Sequence, residues 1–158
     1  MPDLIRPGNP RSTASVAGHP IHPALVGFPI ALFVATLVCD IVYVSNGNSG
    51  WAHAAEWLVG FGVITGLLAA LFGLVDLLGD RRIRALSVAW IHAGLNLLAV
   101  LISLYSFWIR DRWPGARVQP TGLVLSIIVV LLLLVTGWLG GEMVFKHRVG
   151  VIPPGTEV

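Results

Sequence analysis

Histidines are the residues of this chain best suited to chemistry, and their placement is uneven. Of five, His19 and His22 stand in the run HPIHP, His53 follows SNGNSGWA, His92 lies in IHAGLN and His147 in FKHRVG. Imidazole is the commonest side-chain ligand of metals and a frequent axial ligand of haem iron. His19 and His22 each precede a proline, a position that disfavours helix and favours extended backbone. Three extended residues would set the two rings roughly 9 Å apart along the chain. That is too far for both to hold one small ion, whereas zinc motifs on helices bring two rings together by an i, i+4 spacing. Each ring is therefore expected to serve a separate partner, with Pro23 as the first helical residue and His22 near the cap. The competing role for HPIHP is an interfacial cap whose histidines face lipid headgroups.

The elements that must position these rings are apolar. Of 158 residues, 56% are hydrophobic and 11% charged, with a mean hydropathy of +0.83. A soluble domain carries about 25% charged residues, so the composition is that of a membrane protein of one domain. The single Cys39 excludes an intrachain disulfide, and without a C-x-x-C-H run a c-type haem has no attachment point. A net charge of +2 and the lack of a long basic run exclude nucleic acid as a partner.

The polar segment 1–18 lacks the order of a cleavable signal peptide and is expected to stay. Apolar runs at 23–44, 54–78, 85–109 and 121–145 are 22 to 25 residues long. At about 1.5 Å per residue each crosses a hydrocarbon core of about 30 Å. A four-helix transmembrane domain over 19–151 follows, with short loops and a tail at 152–158. The expected class is an all-α integral membrane bundle, since the alternation of a β-barrel is absent. Arg6, Arg11, Arg81, Arg82, Arg84, Lys146 and Arg148 fall on one side, against Arg110, Arg112 and Arg117 on the other. Positive loops stay in the cytoplasm, so both termini are expected there, in a multi-pass protein of the bacterial plasma membrane. Tyr43, Trp51, Trp57, Trp108 and Trp113 would form the aromatic belt of the outer interface.

Periodicity then sorts the faces. The second span carries Gly62, Gly66, Ala69, Gly73, Asp76 and Asp80 at spacings of four and three, a seam nearly bare of side chains. It suits either close helix packing through small residues or a flat wall for a planar cofactor. The fourth span has a related seam through Gly137, Gly140, Val144 and His147, with Gly141 beside it. In the third span His92, Asn96, Ala99, Ser103 and Ser106 draw a polar line that should face the interior, because polar groups facing lipid are costly. His19, His22, His92 and His147 gather toward one leaflet with Asp76 and Glu142, while His53 lies opposite. Asp76 is a candidate to orient a ligand histidine or to serve as a ligand itself. Asp40 suits a proton step, and a partner such as Arg110 would make it structural. Pro29 should kink the first span.

A bis-imidazole haem b needs two histidines from different elements on opposite faces of a macrocycle. His22 and His92 are the first pair expected, with His19 and His147 forming a second or supplying its surroundings. One or two haems are thus accommodated, their propionates met by Arg81, Arg82, Arg84, Lys146 and Arg148. Gly66, Gly73, Gly137, Gly140 and Asn96 would complete the walls.

The segments GHPIHPALVGFPIALF, GLVDLL, IHAGLN and GGEMVFKHRVGV resemble a group of bacterial four-helix integral membrane proteins, the domain of unknown function 2231 family. The resemblance covers Gly18 to Val151. It implies work in electron transfer, because similar domains occur joined to cytochrome c-like or Rieske-type domains. His19, His22, Asp76, His92, Asn96 and Gly141 occupy its motif positions, and Phe145 stands where similar proteins often have tyrosine. The leading expectation is a b-type haem protein passing single electrons between a quinol or respiratory partner and an acceptor at the cytoplasmic face. The alternatives are binding or transport of an Fe, Zn or Cu ion through His22, His92 and Asp76, and a structural subunit of a membrane redox complex, with a homodimer possible.

Overall fold

The computed structural model describes residues 8–112 and 118–151. Arg6, Trp113, Arg117 and the tail at 152–158, which entered the charge count, aromatic belt and domain limits above, lie outside the described residues. The chain opens on a two-stranded hairpin, β1 (Ser15–Val16) with β2 (His19–Pro20), paired antiparallel. Its turn has Ala17 and Gly18 both at positive φ, 49° and 77°, the signature of a tight primed turn. Helix α1 spans Ile21–Asn46, α2 Ser49–Gly79, the short α3 Arg81–Arg84, α4 Ser87–Arg112 and α5 Leu123–Phe145, with a π-helical turn at Val118–Gly122 leading into α5. Among the described residues four helices are long and apolar enough to cross a membrane.

Local chemistry fixes the ends. Gly47 adopts φ 68° and its N–H donates to the Tyr43 carbonyl at 2.8 Å, closing α1; a left-handed cap of this kind favours glycine. Asn48 caps α2 by accepting from Gly50 N–H at 2.9 Å. Asp80 breaks α2 from α3 with extended backbone and accepts from Arg82 N–H at 2.8 Å. One expectation is corrected here. The HPIHP run is extended only at His19–Pro20, and α1 begins at Ile21. Pro23 fits inside the first turn because an N–H there would have no intrahelical acceptor, so His22 is a helical residue.

The helices form a ring in which α1 packs on α2, α2 on α4, α4 on α5 and α5 on α1. Consequently α1 and α4 face each other across the bundle, with both N-termini at one end. The glycine seam of α2 lies in the interior: a Cβ on Gly62 would meet the Phe33 ring at 2.5 Å, and one on Gly66 would meet Val100 at 3.2 Å. The polar line of α4 faces inward too, with Ala99, Ser103 and Ser106 buried. The fourth seam is only half realised, since Gly137 is exposed with nothing within 4 Å of its Cβ position, and Val144 is exposed. Pro29 sits inside the continuous helix α1 and packs toward Gly66. Lipid-facing side chains such as Trp57, Leu134, Trp138 and Phe145 are exposed, as expected where hydrocarbon is the solvent.

Candidate functional site

The end that carries the N-termini of α1 and α4 brings two imidazoles together. His22 from the first turn of α1 and His92 from α4 have ring centroids 6.5 Å apart with planes at 86°. Each ring is fixed in the same way. His22 Nδ1 lies 2.8 Å from the Ala69 carbonyl of α2, and His92 Nδ1 lies 2.9 Å from the Thr136 carbonyl of α5. A carbonyl only accepts, so both Nδ1 atoms donate, and in a neutral ring held this way Nε2 is the nitrogen with the lone pair. This is the orientation in which a histidine is held when its other nitrogen binds a metal.

Glycines make these bonds possible. A Cβ on Gly73 would stand 2.9 Å from His22 Cε1 and Nδ1, and one on Gly140 would stand 3.3 Å from His92 Cε1. Gly73 is four residues after Ala69 and Gly140 four after Thr136, so each glycine clears the flank of the helical carbonyl that its histidine reaches. The small-residue seam therefore seats imidazoles rather than only helices.

The remaining candidates lie around this pair in different ways. Asn96 donates Nδ2–H to the His92 carbonyl at 2.8 Å, within its own helix. His19 is exposed on β2 and bonds the Ala17 carbonyl at 2.9 Å. His147 follows α5 and has Nε2 4.0 Å from Glu142 Oε1. His53, at the opposite end, bonds the Ser49 carbonyl at 2.9 Å. Gly66 touches the core, and Gly137 faces outward.

Asp76 faces the N-terminal segment. Its Oδ1 accepts from Thr13 N–H at 2.7 Å, Ala14 N–H at 2.8 Å and Ser12 Oγ at 2.9 Å. Asp80 Oδ2 accepts from Arg11 N–H at 3.0 Å, Asn9 Nδ2 donates to the Val151 carbonyl at 2.8 Å, and Gly150 N–H donates to Pro10 at 2.8 Å. Residues 9–14 thus form a strap across this end of the bundle. Leu77, Ile83 and Ala89 make a buried cluster at the same end, flanked by Leu86, Ala93, Met143 and Val149. The Arg82 guanidinium pairs with Asp80 at 2.7 Å and holds its carboxyl well below the usual carboxylate range. Arg82 also reaches the Gly8 carbonyl.

At the other end of α1 and α4 lies a second polar centre. Arg110 Nη1 and Nη2 donate to Asp40 Oδ1 and Oδ2 at 2.8 and 2.7 Å, a bidentate pair with both side chains almost completely buried. Ser126 Oγ donates to Asp40 at 2.5 Å, and Arg110 Nε donates to Ser106 Oγ at 3.2 Å. Arg110 is therefore an interior cation with a dedicated partner, not a loop charge. The condition set by the sequence, that an Arg110 partner would make Asp40 structural, is met.

A profile of predicted membrane proteins, DUF2231, matches residues 18–153. The chain belongs to the DUF2231 family. Neither a curated protein nor a solved structure matches it. In this DUF2231 protein the family segments quoted from the sequence supply both halves of the histidine pair: HPIHP carries His22 and IHAGLN carries His92, while GLVDLL carries Asp76, on which the strap is anchored. The signal available in the sequence for the orienting carbonyls was the pair of glycines at 73 and 140, but nothing in composition told which histidine each would meet.

Proposed function

We propose that this protein binds haem b between His22 and His92 and serves as a one-electron carrier in the bacterial plasma membrane, its termini and its histidine-bearing end in the cytoplasm. The observation that carries the reading is the pair of neighbouring imidazoles, each with Nδ1 committed to a backbone carbonyl. Metal to imidazole nitrogen distances are about 2.0 Å, and the ring centre lies about 1 Å behind its nitrogen. Two rings ligating one iron from opposite sides would therefore have centroids roughly 6 Å apart, close to the 6.5 Å between His22 and His92.

Haem takes only two ligands from protein, whereas zinc in a structural site takes four. The two imidazoles brought together here are the number that haem needs. When bound, the haem supplies the redox chemistry. The chain's own part is to orient the rings and to raise the basicity of each Nε2 through its Nδ1–H bond. Arg81, Arg84 and Arg148 are exposed at this end and suit propionate carboxylates, while Arg82 is committed to Asp80 and Lys146 to Glu142. The partners fitting this role are a quinol or a respiratory protein and an acceptor at the same face.

The deciding measurement is the visible spectrum of protein expressed with ample haem. Dithionite should produce the sharp bands of six-coordinate b-type haem, and His92→Ala should remove or convert them while His53→Ala leaves them unchanged. Colourless protein holding stoichiometric iron, zinc or copper would support the ion-binding alternative. Folded protein with neither would leave a structural subunit.

A further inference from the structure

We infer that the bundle is two copies of one helical hairpin about a pseudo-twofold axis along the membrane normal, and that this axis carries a single haem-iron site to which His22 and His92 contribute equivalent halves. The inference rests on the haem reading and fixes its stoichiometry, its ligand pair and the relation between the two ligands.

The register of buried residues carries it. All five buried residues of α1, Pro29, Phe33, Thr36, Cys39 and Asp40, have a buried residue of α4 seventy positions on: Ala99, Ser103, Ser106, Ile109 and Arg110. The same step takes His22 to His92. All three buried residues of α5, Ser126, Val129 and Thr136, lie sixty-seven positions after buried residues of α2, Val59, Gly62 and Ala69. That step also takes Gly73 to Gly140. Both hydrogen bonds of the site obey the two steps, since His22 to Ala69 becomes His92 to Thr136. The ring order obeys them as well, because α1 on α2 maps to α4 on α5, and α2 on α4 maps to α5 on α1.

A twofold axis exchanges α1 with α4, so a contact made across the bundle between two equivalent positions lies on the axis. Among the described residues two pairs of equivalent positions meet in this way, His22 with His92 at one end and Asp40 with Arg110 at the other. The second is closed, its carboxylate and guanidinium satisfying each other with both serines. The first has each Nδ1 committed to a carbonyl, which leaves the Nε2 atoms of both rings as the nitrogens that a bound iron would take. His19 and His147 have no counterparts under these steps, since position 89 is Ala89 and position 80 is Asp80. The two steps therefore supply no second pair of equivalent histidines among the described residues.

The test uses the full-length protein loaded with haem. The amount of haem per chain should saturate at one. His22→Ala and His92→Ala should each give the same five-coordinate spectrum, and added imidazole should restore six-coordination in both. His19→Ala and His147→Ala should keep the parent spectrum. The 86° between the ring planes calls for a highly anisotropic low-spin ferric signal in electron paramagnetic resonance, as opposed to the rhombic signal of parallel rings. Two haems per chain, or a six-coordinate spectrum that survives His22→Ala but fails in His19→Ala or His147→Ala, would overturn the inference while leaving a haem protein. Absence of haem from folded protein would overturn the haem reading and this inference together.

Discussion

At the scale of single residues, the chemistry of this protein is set by what the glycines leave out. Each histidine ring reaches a helical carbonyl where the side chain four residues on is missing, and three glycines of α2 and α5 differ in how much room they hold. A Cβ at Gly73 would lie 2.9 Å from two atoms of the His22 ring, at Gly140 3.3 Å from one atom of His92, and at Gly137 within 4 Å of nothing. Alanine adds up to about 1 kcal/mol of helix propensity over glycine, against an overpacking cost of roughly 1–3 kcal/mol. Gly73→Ala should therefore lower thermal stability in detergent and displace His22. Gly140→Ala should be near neutral in stability with a small spectral shift, and Gly137→Ala should be neutral or slightly stabilising. Equal effects at 73 and 137 would contradict the seating of His22 against α2. The sequence shows the glycine spacing plainly, but it assigns Gly137 the same inward face as Gly140. That error arises because a three-residue step on a helix moves a side chain by about 60°, enough to leave a narrow interface.

At the scale of elements, the four spans were legible because runs of more than twenty apolar residues have few other uses. Their ends were less so. The start of α1 moved to Ile21 because proline is compatible with a first helical turn, and α2 reached back to Ser49 through the Asn48 cap, a polar signal that hydropathy discounts. The strap was invisible in advance. Residues 9–14 carry little hydrophobicity and are held by backbone N–H groups that donate to Asp76 and Asp80, and any sequence supplies such donors. Its pH response follows from Asp80. Chiefly the Arg82 side chain, and then the N–H groups of Arg11 and Arg82, favour the ionised carboxylate, so the folded state depresses its pKa. A depressed carboxylate contributes stability that is full above its unfolded value, about 4, and is lost as pH falls through the folded value. The strap should accordingly stay docked at neutral pH and loosen in acid below about pH 4, before the spans themselves unfold. Amide hydrogen exchange at Arg11 should show this, and Asp80→Asn should show the same loosening at pH 7. Protection at Arg11 that is unchanged by both treatments would mean that Asp80 does not hold the strap.

At the scale of the whole molecule, the two hairpins share a pattern of burial rather than of residue type, which is why the repeat does not announce itself in the sequence. Phe33 answers Ser103, Cys39 answers Ile109 and Asp40 answers Arg110, so only the shared faces and the histidine and glycine positions betray it. The Asp40–Arg110 pair offers a direct test that involves no cofactor. Each single reversal, Asp40→Arg or Arg110→Asp, leaves two like charges buried together and should cost at least the roughly 3–5 kcal/mol of a broken buried pair. If the two positions are equivalent about an axis, the double variant Asp40→Arg with Arg110→Asp rebuilds the bidentate pair in mirror order and should recover most of that loss. The bonds of one hydroxyl would still be missing, because Ser126 donates to Asp40 at 2.5 Å and accepts from Arg110 Nη2 at 3.3 Å while its counterpart sixty-seven positions earlier is Val59. The shortfall should be about 1.5–3 kcal/mol, typical of a hydrogen bond to a charged group. Adding Val59→Ser and Ser126→Val transfers the hydroxyl to the other hairpin and should remove most of the remainder. Thermal unfolding of the five proteins in one detergent reads the series. A double variant as unstable as either single would show that the two sites are not interchangeable, and would reduce the repeat to a coincidence of helix lengths.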